Sequence, residues 1–155
     1  MALDATAVAD LFAQVEARTQ TLADFEQVIG HEPRSAPASL PALAVWFAGL
    51  GPARGLSGLD ATSVRCEFGG RIYLNAAAKP EDDTEQKLLY LSALVMGAFS
   101  ADFTLGASVF AVDLLGGWGN PLSASPRWLV QDSKEFRVCE LTIPVLIDGT
   151  FTQEA

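Results

Sequence analysis

The chain has 155 residues, half of them hydrophobic and 19% charged; this suits a domain with its own core and excludes an intrinsically disordered segment. The net charge is −9, with ten basic residues against nineteen acidic ones, so a surface of clustered Lys and Arg that grips nucleic acid is excluded. No apolar run reaches the roughly 18–20 residues of a membrane helix, and Met1-Ala2-Leu3-Asp4 lacks the basic flank and apolar core of a signal peptide.

Val8, Leu11, Phe12 and Val15 recur at helical spacing, so residues 4–18 read as an amphipathic helix capped by Asp4 or Thr6. Phe25 to Ile29 reads as a short strand. Gly30-His31-Glu32-Pro33-Arg34-Ser35-Ala36-Pro37, followed by Pro41, makes a long stiffened loop over about 30–42. Leu43-Ala44-Val45-Trp46-Phe47 reads as a strand. Four glycines and Pro52 then predict a second loop from Gly49, over about 49–61.

The clearest strand follows. Val64, Cys66, Phe68, Ile72 and Leu74 share one face, and Arg65, Glu67, Arg71 and Tyr73 share the other. This is the alternation of an antiparallel sheet with one buried face. Gly69-Gly70 predicts a bend or bulge within it. Glu81-Asp82-Asp83-Thr84-Glu85 opens a second helix to about Ser100. Leu88, Leu91, Val95 and Phe99 form its packing stripe, widened by Leu94 and Met96. Carboxylates in a first turn complement the helix dipole, so the acidic cluster is not expected to hold a metal.

Phe103 to Leu114 reads as a further strand. The glycine-rich turn Gly116 to Pro121 lies in a third loop, about 115–127, and lacks the Lys and Ser/Thr of a phosphate-binding loop. A hairpin follows: Arg127 to Val130, the polar turn Gln131 to Glu135, and Phe136 to Ile147, with residues 148–155 as a tail. Cys139, Leu141, Ile143, Val145 and Ile147 are in phase, while Phe136 and Val138 are not, which predicts a bulge near Val138–Cys139. Pro144 predicts an edge position. Cys66 and Cys139 read as reduced, packed thiols in a protein folded in a reducing cytoplasm; a disulfide between them requires neighbouring strands. The expected fold is α+β, a mostly antiparallel sheet with two main helices packed on one face, forming a single domain over 1–155.

His31 is the single histidine, which leaves no His-rich metal site and only this residue for a triad. Asp113 reads either as an acid–base group or as a carboxylate that holds a backbone turn or pairs with an Arg. Trp46, Trp118 and Trp128 read as pocket walls or as core and interface anchors. No catalytic residue and no cofactor or metal site is expected.

A set of short segments follows in order along the chain. It comprises Gly30 to Pro37, Val45-Trp46-Phe47, Pro52, Gly58-Leu59, Thr62-Ser63-Val64-Arg65, Phe68 and Arg71-Ile72-Tyr73-Leu74-Asn75. It continues with Pro80-Glu81-Asp82, Asp102 to Gly106, Val112 to Gly116, Gly119, Pro121-Leu122-Ser123, Phe136-Arg137-Val138 and Thr142-Ile143-Pro144-Val145. Over residues 8 to 153 the chain resembles the tail terminator family of long-tailed, non-contractile phages of actinobacteria. It departs from that pattern at Gly69-Gly70, where a branched residue is usual, and at Ser125-Pro126-Arg127-Trp128, where glycine and tyrosine are usual.

The resemblance implies a structural virion protein at the head-proximal end of the tail, assembled in the host cytoplasm. It implies a ring-forming subunit, in a hexameric ring, that caps the tail tube and ends its polymerisation. The implied partners are the major tail tube protein, the head-completion (stopper) protein and the end of the tape-measure protein, with DNA passing through the channel unbound and no membrane involved. The alternative is another neck component, the head-completion protein itself or a tube-like subunit. Expected interface residues are His31, Glu32, Pro33 and Arg34 on the first loop, with Trp46, Arg71, Trp118 and Pro121. Ring contacts join unlike surfaces of identical subunits.

Overall fold

The structure, a computed structural model, describes residues 1–77 and 79–154. Helix α1, Ala5–Gln20, begins where the Asp4 side chain accepts the Ala7 N–H at 2.8 Å, and it buries Leu11, Val15 and Thr19. Helix α2, Glu81–Ala101, buries Leu88, Leu91, Val95 and Phe99, together with Ser92. The serine is tolerated there because its hydroxyl donates to Leu88 O at 2.7 Å. Pro80 offers no side-chain cap to α2, so Glu81, Asp82 and Asp83 act on its N-terminus through the dipole.

The sheet comprises β1 (Gln27–Ile29), β2 (Ala42–Pro52), β3 (Ala61–Asn75), β4 (Ala111–Val112), β5 (Ser123–Gln131) and β6 (Lys134–Thr152). The order is β1-β2-β3-β6-β4, with β5 also pairing β6. Only β1 and β2 are parallel. Both helices cover one face, where Leu11, Val15, Leu88, Leu91 and Phe99 meet Val64, Phe68, Ile72, Ile143 and Val145. The fold is therefore α+β.

Several expectations change. Strand β2 runs through Gly49 to Pro52, because pairing with Val64 to Glu67 of β3 overrides the turn-forming composition. The second loop shrinks to a 3-10 turn at Arg54–Leu56 and its flanks. Register is unbroken across Gly69-Gly70 and across Val138-Cys139; the irregularities fall at Phe47/Gly49 and Thr62/Val64. Phe136 and Val138 are out of phase because they face the opposite way, into a second cluster with Ala42 and the fully buried Tyr73.

The expected strand over 103–114 keeps only Ala111–Val112. Leu105, Gly106 and Ala107 turn through left-handed φ of 49, 71 and 62°, which ends any strand. Strand β5 starts at Ser123, shortening the third loop, and the tail is strand as far as Thr152, paired to Ala61. Pro144 is not in an edge strand: β6 lies between β3 and the pair β5 and β4. Its backbone faces the gap where β4 gives way to β5, and Pro144 O there accepts the Asp113 N–H at 2.9 Å. Cys66 and Cys139 are free and buried on neighbouring strands. Cys139 lies opposite Ile72, six residues and about 20 Å along β3 from Cys66, far beyond disulfide reach.

Candidate subunit interface

The face of the sheet away from the helices is a trough between two overhanging loops. Its floor follows from strand register. Trp46 lies opposite Gly69, Arg71 opposite Ala44 and Glu140, and Glu67 opposite Pro144. Arg71 is the hub. Its Nε donates to Glu140 Oε1 at 2.6 Å and its Nη1 to Tyr73 Oη at 3.1 Å. Its guanidinium lies 5.2 Å from the Trp46 ring centroid, and Glu32 stands 3.9 Å away. Burial pulls the Arg71 pKa down, but the bonds to Glu140 and Tyr73 outweigh it and hold the pKa above its ordinary value. The guanidinium is thus a permanent charge, fixed in orientation.

Loop 30–41 closes one end. Pro33 O accepts from Gln131 Nε2 at 3.0 Å, and the Ala36 N–H donates to Asp132 Oδ2 at 2.6 Å. Ala36 and Leu40 pack on the Tyr73–Phe136–Val138 cluster. This anchoring buries Pro33 and leaves His31, Glu32 and Arg34 exposed at the tip. Asp113 builds the other end: its carboxylate accepts the N–H of Gly117 at 2.8 Å and of Trp118 at 3.0 Å. It therefore holds a turn, the second of the two roles its sequence context offered. Trp118 packs edge-to-face on Phe110, with centroids 6.2 Å apart. Arg65 donates to Asn120 O and pairs with Glu67 at 3.0 Å, but its buried Nε has no partner.

The structure thus brings Glu32, Trp46 and Arg71 together and anchors Pro33 beneath the loop that carries His31 and Arg34. Trp118 and Pro121 lie at the far end of the same face, both exposed. Sequence reasoning missed Glu140 and Gly69. Glu140 interrupts an apolar run, and its pairing with Arg71 depends on a register that the sequence does not display. A depression of about 680 Å³ is lined by Ala36, Leu40, Asn75, Glu81, Trp128 and Phe136 among others. Its described lining has no histidine, cysteine or hydroxyl nucleophile. Among the described residues no three His, Cys, Asp or Glu side chains are grouped to hold a metal, and no helix is long and apolar enough to cross a membrane.

No family model matches the chain, and no curated protein matches it. Among solved structures it is similar to the sheath/tube terminator of PVC, an extracellular contractile injection system, in the extended state. Identity is 10%, over 100% of this chain and 62% of that one, with a TM-score of 0.46. The chain spans less than two thirds of that protein's length.

Proposed function

We propose that this chain is a tail terminator: a structural subunit whose hexameric ring caps a phage tail tube, stops its growth and joins the tail to the head. The observation that carries the reading is the ordered set of segments by which the sequence resembles that family. Those segments include Gly30 to Pro37 of the first overhanging loop, Asp113 to Gly116, Gly119, Pro121 and Leu122 of the second, and the Trp46 and Arg71 between them. His31, Glu32, Arg34, Trp118 and Pro121 are exposed side chains for contacts with a neighbouring subunit, the tube or the head-completion protein. Pro33 is buried, so it contributes by shaping its loop, and Trp46 and Arg71 contribute by bracing that loop from below. A charge of −9 on each subunit repels phosphates and favours DNA transit over DNA binding.

Electron microscopy of particles made while this gene is silenced tests the reading. Tails of uncontrolled length, separate from DNA-filled heads, are expected. Tails of normal length beside leaking heads would instead assign the chain to head completion, and intact virions would refute a structural role.

A further inference from the structure

Besides the outer edges of the short end strands β1 and β4, two longer stretches of strand backbone in this sheet have no strand partner among the described residues. One is the outer edge of β5, which pairs with β6 alone. The other is the second half of β2: β1 pairs only Ala42 to Ala44, so from Trp46 to Pro52 the side of β2 turned away from β3 is open. Open edges are templates for another chain. The hairpin fixes which β5 groups point outward. Gln131 and Lys134 close a two-residue turn and bond to each other, so Ala124, Pro126, Trp128 and Val130 alternate outward. Pro126, which lacks an N–H, therefore leaves the inner ladder intact and makes the outward edge one donor short at that position, so a partner strand bonds there through the flanking residues.

Resting on the proposed ring, we propose that the β5 edge of one subunit pairs antiparallel with the Trp46–Pro52 edge of β2 in the next, so that one sheet continues around the assembly. Direction agrees. Strands β2 and β6 run one way and β3 and β5 the other. Rotation about the ring axis preserves each strand's sense along that axis and the face it presents, even when the strands are tilted, so β5 meets the next β2 antiparallel. Side chains also agree. On the helix-bearing face, Trp128 and Val130 of β5 are 57% and 69% exposed, and Phe47 and Leu50 of β2 are 53% and 48% exposed. Pairing sets these apolar residues beside one another. On the other face, Gly49 and Gly51 leave β2 bare, with nothing within 4 Å of either added Cβ. Arg127 of β5, in no ion pair among the described residues, would lie across them toward Glu67, the residue opposite Gly49.

The stagger fits closure as well. Strand β5 begins level with Gly69 of β3, where the open half of β2 ends. A shift of about six residues, or about 20 Å, across four strands about 4.8 Å apart tilts the strands by about 45°, at the upper end of closed barrels.

Paired cysteines test this in tails purified from a silenced strain that expresses the variant gene. After mild oxidation, Leu50→Cys combined with Trp128→Cys or with Val130→Cys is expected to give a reducible ladder reaching six chains. Leu50→Cys with Arg127→Cys, whose side chain points to the opposite face, is expected to give none. Tails that contain the protein but yield no ladder from either even-numbered pair, or an equal ladder from the Arg127 pair, overturn the edge pairing and leave the terminator reading standing. Absence of the unsubstituted protein from tails overturns both.

Discussion

Substituting Gly69 with alanine would put a methyl carbon 2.8 Å from Trp46 Nε1, closer than any relaxed contact. The indole must move, which disturbs its stacking with Arg71. Gly69→Ala is expected to cost about 1–3 kcal/mol in urea unfolding and to shift the fluorescence of Trp46. A glycine inside a regular strand thus marks a close approach here, whereas the sequence alone suggested a bend. Cys66 gives a second test. Burial, with the charge of Glu67 adding to it, pushes its thiol pKa up to about 11. The folded value lies above the unfolded value of about 8.5, so this stabilisation is complete below that value and fades as pH rises from there toward 11. Thiol reagents at pH 8 are expected to spare Cys66 in the folded protein and to label it quickly in urea. The five core-facing residues of β3 were legible from alternation alone. Tyr73 was not, because its phase assigns it to the accessible face while loop 30–41 covers it.

The β5–β6 hairpin turns through Asp132 and Ser133, both left-handed, with φ of 53 and 62°. Asp132 earns its place by accepting the Ala36 N–H; the described bonds give Ser133 no such role. Ser133→Gly is therefore expected to stabilise the protein by about 0.5–1 kcal/mol, measured by thermal unfolding. At this scale the helices were the most legible elements, since their apolar stripes needed only the right period. Strand limits were less so. Glycines and a proline hid the end of β2, which its pairing with β3 restores. The segment 103–114 shows the converse: its apolar residues suggest a strand, yet the backbone turns left-handed at Leu105. Asp102 helps to hold that turn, accepting the Gly106 N–H at 3.0 Å and pairing with Arg18 of α1. Neither interaction leaves a periodic trace in the sequence. For the same reason the trough was only half legible: its residues were nameable, but their convergence depends on register.

Across the whole molecule the charge balance shapes the acid response. A bond from Lys79 holds the Glu81 carboxyl below its ordinary range, and a bond from Arg137 does the same for Glu85. The Gly106 N–H and then Arg18 do so for Asp102. Depressed folded values mean that these contributions are present above about pH 4 and are lost as pH falls through the folded pKa. Urea midpoints are expected to hold steady from pH 7 to about 5 and to fall below about 4, with a shallower fall in 1 M salt, which screens these exposed pairs.

Strand β6 lies inside the sheet yet comes last among the described elements, and it pairs with residues of β3 roughly sixty to ninety positions earlier. Such distant pairing is slow to form. During synthesis, β3 and α2 leave the ribosome well before the strand that pairs with β3 and underlies α2 exists. The nascent chain therefore carries the unpaired edge of β3, and the part of the helices' apolar stripes that packs on β6, until residues 134–152 emerge, and it depends on chaperones or speed to avoid aggregating. Translation stalled before residue 134 is expected to leave the emerged chain protease-sensitive throughout β3, whereas stalling with β6 fully outside the ribosome is expected to protect it.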